Sequence, residues 1–229
     1  MISDLIFNPN LTAQELVLSL VFGLVVIFIS LAVHEFAHAF VAYKMGDDTA
    51  RLSGRLTLNP TKHIDGFGLF SFLLIGVGWA KPVPINPLKF KKYRTGIRLV
   101  SVAGIGANFI LGLISAIIHA ILLATVGITN EVVNYIYLLL QMFMMANSAL
   151  ILFNLLPIFP LDGYNFMVSF IKKENKFTKY MMRYGSLILI GILIFDSIIA
   201  MMFDFYLLDW FLSLINSHIY IPIVGLGVM

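Results

Sequence analysis

The stretch Leu31-Ala32-Val33-His34-Glu35-Phe36-Ala37-His38-Ala39-Phe40-Val41 decides how this chain is read. It ends an apolar run that begins at about Leu16, longer than the roughly eighteen residues that mark a membrane-spanning helix. Three ionisable side chains interrupt it. Such groups are costly in hydrocarbon unless they are paired or bind a ligand, so they point to function rather than to packing. On a helix, residues four apart share a face, so the His34 and His38 imidazoles can reach one metal ion. Glu35 then stands beside that ion, placed to take a proton from water.

The whole chain agrees with a membrane setting. Of its 229 residues, 60% are hydrophobic and 12% charged, with a mean hydropathy of +0.95. A soluble domain of this size carries about twice that share of charge, so a water-soluble globule is excluded, as are disordered and collagen-like classes. There is no cysteine, which removes disulfides, thiolate metal sites and cysteine nucleophiles. Residues 1–15 lack a basic region and a small-residue cleavage site, so no cleavable signal peptide is expected.

Further apolar runs predict spans at about Leu99–Val126, Val132–Ile158, Tyr184–Phe203 and Trp210–Val228. The fold class expected is therefore an all-α polytopic bundle of about five spanning helices. Phe67–Trp79 is too short to cross, so a re-entrant or interfacial hairpin is expected at about 64–80. The segment Lys81-Pro82-Val83-Pro84-Ile85-Asn86-Pro87 cannot be regular helix. Both segments are candidates for holding an extended substrate by strand addition.

All fifteen Lys and Arg residues fall within 44–62, 81–98 and 172–183. The positive-inside rule places these loops in the cytoplasm, the N-terminus outside, and the His34–His38 pair near the cytoplasmic face of the cell membrane. The same loops attract anionic lipid, and no nucleic-acid motif accompanies them.

A catalytic zinc needs three protein ligands and an open position. Asp47, Asp48, Asp65, Asp162, Asp196, His63 and His119 are candidates for the third. Asp162 is favoured because Asn154-Leu155-Leu156-Pro157-Ile158-Phe159-Pro160-Leu161-Asp162-Gly163 breaks a span beside a carboxylate. Irregular backbone at membrane depth is tolerated only around protein or a wet cavity. Of the rest, His63 and Asp65 read as solvated loop residues, His119 as a hydrogen-bonding residue between helices, and His218 and Tyr220 as packing. Asp196 needs a partner that the sequence does not name. Met142, Met144 and Met145 could share one adaptable surface.

Together, His34-Glu35-x-x-His38 and Asn154-x-x-Pro157-x-x-Pro160-Leu161-Asp162-Gly163 resemble the site-2 protease family of intramembrane zinc metalloproteases, in a short form without PDZ or nucleotide-binding modules. Leu58-Asn59-Pro60-x-x-His63-Ile64-Asp65 and Gly78-Trp79-Ala80-Lys81-Pro82-Val83-Pro84 resemble its compact members too. The resemblance implies one Zn²⁺ per chain held by His34, His38 and Asp162, with Glu35 as general base and later proton donor. Asn154 would bind the substrate backbone or the oxyanion. Gly104-Ile105-Gly106-Ala107-Asn108 matches a family Gly-Pro-x-x-Asn pattern, except that Ile105 replaces proline; Gly66 likewise replaces the proline that often follows His-Ile-Asp.

The expectation is one transmembrane domain over 1–229, with a catalytic core at about 16–165 and added helices at 184–228. Its partners would be the lipid bilayer and a transmembrane protein substrate, with a homo-oligomer or a regulatory membrane partner compatible with the reading. The alternative is a metal-ion carrier using the His/Asp cluster as a cation site. Glu35 separates the two, because a carrier has no use for a base.

Overall fold

The computed structural model describes residues 12–75, 78–127, 130–173, 175–203 and 207–225. Helix α1, Ala13–Lys44, begins earlier than the apolar run suggests, because Thr12 and Glu15 cap its first turn reciprocally. At 32 residues it is about 48 Å long, so it projects beyond a hydrocarbon layer of about 30 Å. A short helix α2, Thr49–Leu52, and a tight turn at Pro60–Lys62 follow. Helix α3 is Gly66–Ile75, started by Asp65, whose carboxylate accepts from the Gly68 amide.

The long helices α4, Tyr93–Thr125, and α5, Glu131–Leu155, form an antiparallel pair against α1. Helix α6 is Asp162–Val168, and α7, Lys176–Phe203, is the fourth long apolar helix. The described part of the last segment is α8, Leu207–Ile215, a wider turn at Asn216–Tyr220, and α9, Ile221–Gly225. The all-α membrane reading is borne out, with four helices among the described residues long and apolar enough to cross a membrane. The expected fifth span is shorter and interrupted by that wider turn, and its end, 226–228, lies outside the described residues.

Small residues let the central helices approach. Ser30, Ala32, Ala39 and Ala42 of α1, Ala116 of α4 and Ser148 of α5 are fully buried, the composition that permits close backbone contact where no hydrophobic force drives helices together. Gly112 of α4 faces the Tyr220 ring so closely that a methyl group would overlap it. On the outside of α1, Val17, Val21, Val25 and Ile29 form an exposed stripe at every fourth residue, as expected of a face in contact with lipid tails.

Residues 64–80 leave and return to one place, closed by a bridge between Ile64 and Ala80 and by the Lys81 amide on the His63 carbonyl at 2.8 Å. The outgoing limb differs from an extended hairpin. Its backbone groups are used within α3, so it offers no strand edge, whereas the described residues 78–81 of the return are non-helical. The Pro-rich loop is non-helical as expected, and the rest of the chain holds it tightly. Arg55 donates to the Lys81 and Pro82 carbonyls, the Asn86 amide donates to Asp47, and Val83 is buried against Ala39 and Ala50.

Several single residues sit differently from expectation. His63 is buried, its Nε2 bonded to the Thr57 carbonyl, because the returning limb covers it. His119 has no hydrogen-bond partner among the described residues and packs its ring on Tyr137 instead. Asp196 finds its partner in the Leu208 amide at 3.0 Å, at the start of α8. His218 is exposed and bonds to its own helix, whereas Tyr220 is buried in the core. The three methionines share no surface: Met142 meets Gly23, Met144 packs with Ala116 and Tyr220, and Met145 faces outward.

Asp47 and Asp48 make contrasting contacts. Buried Asp47 binds the Thr49 amide and hydroxyl and the Asn86 amide. Exposed Asp48 pairs with Lys89, a hydrogen bond that lowers the pKa of the aspartate and raises that of the lysine. Asp47→Ala leaves a buried amide unpaired, a loss of about 1–3 kcal/mol to the loop. Faster tryptic cleavage after Lys89, Lys91 and Lys92 in detergent is the expected result. Asp48→Ala, which removes an exposed pair, should leave that rate near wild type.

Candidate metal centre

His34 and His38 lie one turn apart on α1, with Nε2 atoms 2.9 Å from each other. Both are buried. The third group comes from far along the chain. Helix α5 ends because the backbone before Pro157 cannot stay helical: Leu156 is extended, at φ −64° and ψ 132°. The chain then turns through Ile158–Leu161 into α6, whose first residue is Asp162. Gly163 packs against the Leu155 and Leu156 carbonyls, where a side chain would clash. This fold-back brings Asp162 Oδ2 to 3.4 Å from His34 Nε2 and 3.1 Å from His38 Nε2.

Proton placement decides what these atoms can do. His38 Nδ1 lies 2.8 Å from the Val100 carbonyl oxygen, which can only accept, so Nδ1 carries the proton and Nε2 presents a lone pair. His34 Nδ1 lies 2.6 Å from Asn108 Oδ1, and the same logic frees its Nε2. Asp162 Oδ2 is buried with no hydrogen-bond donor among the described residues. Three lone pairs thus converge with no donor between them, an arrangement that burial makes unfavourable without a cation. For ligand bonds of about 2.0–2.1 Å, tetrahedral coordination puts donor atoms about 3.3 Å apart. The observed separations of 2.9, 3.1 and 3.4 Å lie close to that value. The donor set fits a metal ion, and two imidazoles with one carboxylate is a known catalytic zinc set.

Glu35 is held by the Pro-rich loop. Its Oε2 accepts from the Val83 amide at 2.9 Å, and in Pro82-Val83-Pro84 that is the one amide able to donate. Asn154 donates to the Leu150 carbonyl of its own helix. The other third-ligand candidates are engaged elsewhere or, like His119, lie apart from the cluster. Asn108, Gly104 and the Val100 carbonyl are the residues behind the cluster to which the sequence assigned no role. The pattern Gly104-x-x-x-Asn108 was the available signal, since it sets both residues on one face of α4. A Cβ on Gly104 would overlap both His rings.

Residues 22–135 match the sequence profile of Peptidase family M50. The chain is 44% identical over 144 residues to YwhC of Bacillus subtilis, covering 61% of this chain and 64% of that protein. It is 30% identical over 213 residues to Rip2 of Mycolicibacterium smegmatis, covering 86% and 74%. Rip2 of Mycobacterium tuberculosis is 31% identical over 181 residues, covering 72% and 64%. All three carry zinc-metalloprotease names. The chain belongs to peptidase family M50, the site-2 protease family. It spans under two thirds of the length of two of these relatives. No solved structure matches. The M50 match includes His34, Glu35, His38 and Asn108 but ends before Asp162, which the geometry adds.

Gly104→Ala should lower zinc bound per purified chain, measured by elemental analysis, because the new methyl group displaces both rings. Gly106→Ala on the same helix, where a Cβ meets nothing within 4 Å, should bind as wild type does.

Proposed function

We propose that this chain is an intramembrane zinc metalloendopeptidase that hydrolyses a peptide bond within or near a transmembrane segment of another membrane protein. The observation that carries the reading is the convergence of one possible ligand atom each from His34, His38 and Asp162, with Glu35 next to His34 in the chain. Zinc held there would supply a Lewis acid for a peptide carbonyl and would lower the pKa of water toward about 7.

The chain's own groups supply the remainder. Glu35 takes the proton from the attacking water and returns it to the leaving amine. The Val83 amide holds one carboxylate oxygen of Glu35 and so aims the other. Asn154, near the broken end of α5, would bind the oxyanion or the substrate backbone after rotating away from the Leu150 carbonyl. A substrate helix must unwind before attack, because its carbonyls are bonded internally. A cleft lined by Ile27, Leu31, Leu69, Phe72 and Trp79 lies between α1 and the 64–80 segment. Ile27, Leu31 and Glu35 are spaced by four, so that cleft opens along the Glu35 face of α1.

The orientation follows from charge. Contacts join the first two basic stretches, Lys89 with Asp48 and Arg55 with the 81–82 carbonyls, and Arg98 of the second reaches Ser169 and the Phe170 ring just ahead of the third. One basic end favours the cytoplasmic side, with cleavage near that face and the N-terminus outside.

Glu35→Gln should lower the cleavage rate of a membrane substrate by about 10²–10⁴-fold while one zinc per chain is retained. Loss of zinc with that change, together with ion flux through the wild type in vesicles, would instead favour a carrier. Asn154→Ala should reduce kcat by about 10²–10³-fold with zinc content unchanged; an unaltered kcat removes Asn154 from the mechanism.

A further inference from the structure

The two histidines have their tautomers set by unlike means. His38 rests on a backbone carbonyl, which cannot change its role. His34 rests on the side-chain amide of Asn108, whose oxygen and nitrogen are alike in shape and exchange places by a half-turn. A turned Asn108 would present NH₂ to His34 Nδ1. That nitrogen would then have to accept, the proton would move to Nε2, and the ligand would be lost. Something must hold Asn108 with its oxygen toward His34.

Groups on α1 and α5 do this. Asn108 Nδ2 donates to Asn147 Oδ1 at 2.7 Å and to the Ser30 carbonyl at 3.3 Å. Asn147 Nδ2 donates to the Phe143 carbonyl at 2.8 Å and to the Ser30 hydroxyl at 3.0 Å. The Phe143 carbonyl can only accept, so it determines which end of Asn147 faces it. That end, at the shorter distance, and the Ser30 carbonyl together determine the orientation of Asn108, and Asn108 in turn determines the protonated nitrogen of His34. Reversing either amide would set oxygen against oxygen with no water to relieve it, since Ser30, Asn108 and Asn147 are all fully buried. The relay crosses α1, α4 and α5, and it ends at the metal cluster.

We infer that Asn147, acting through Asn108, is a positioning residue that holds His34 in the tautomer whose Nε2 faces Asp162 and His38. This rests on the metal-centre reading above and adds a residue that touches neither the cluster nor a substrate. Partners behind a metal ligand typically change affinity by about 10–100-fold.

The test uses the full chain in detergent, with zinc affinity measured by chelator competition and His34 nitrogen protonation by ¹⁵N NMR of the zinc-free protein. Asn147→Leu should weaken zinc about 10–100-fold and convert the single His34 tautomer into a mixture, with thermal unfolding of the zinc-free protein showing that the fold persists. Asn108→Asp provides the decisive background, because a carboxylate offers His34 an acceptor in either orientation. In that background Asn147→Leu should cause no further loss. If Asn147→Leu does not fold, Asn147→Ala is compared in the same two backgrounds. Wild-type affinity and a single His34 tautomer in the Asn147 variant would overturn the inference, as would an equal loss in both backgrounds. Zinc binding that survives His34→Ala would instead overturn the metal-centre reading itself.

Discussion

Two imidazole nitrogens and a carboxylate oxygen, each turned so that its lone pair faces the others in a buried space, form the constraint on which the rest of this structure depends. Left alone, the arrangement is repulsive, and burial removes the water that would relieve it. It persists because every other polar atom of the two histidines is already committed, one to a backbone carbonyl and one to a buried amide. The site is therefore built from behind. Gly104 gives the rings room, Val100 and Asn108 orient them, and the fold-back after Pro157 delivers the carboxylate.

The surrounding bundle serves the same end. Small residues on α1, α4 and α5 let three backbones close on a polar interior that a wider packing would flood or leave unpaired. The Pro-rich loop shows the complementary device. With proline on both sides of Val83, the segment has few donors of its own. It is held through its carbonyls by Arg55 and through its Asn86 amide by Asp47. The Val83 amide is left for Glu35, so a loop that lacks regular structure is placed with the accuracy of a helix.

Much of the architecture was legible in the residues. Long apolar runs and clustered basic residues separate spans from loops because the bilayer penalises every exception. The pair of histidines in such a run is conspicuous for the same reason. The third member of the cluster was legible too, since prolines and a glycine beside Asp162 mark broken backbone. What misled were single polar residues: among the described residues His119 lacks the hydrogen bond expected of it, and Asp196 found a helix start twelve residues on. The last apolar segment read as a plain span because a widened turn has no composition of its own.

By itself the sequence determined that this is a helical membrane chain and which helix carries the histidine pair, and it favoured Asp162 as the carboxylate beside them. Those conclusions follow from local periodicity and from the cost of charge in hydrocarbon. The tertiary structure alone decided which nitrogen of each histidine is free and which amide sets it. It also decided that Val83 holds Glu35 and that residues 66–75 form a helix rather than a strand. A hydrogen bond between residues 39 or 74 positions apart leaves no spacing pattern in one chain. Such bonds exist only when three helices have closed, and the chemistry of the cluster is settled there.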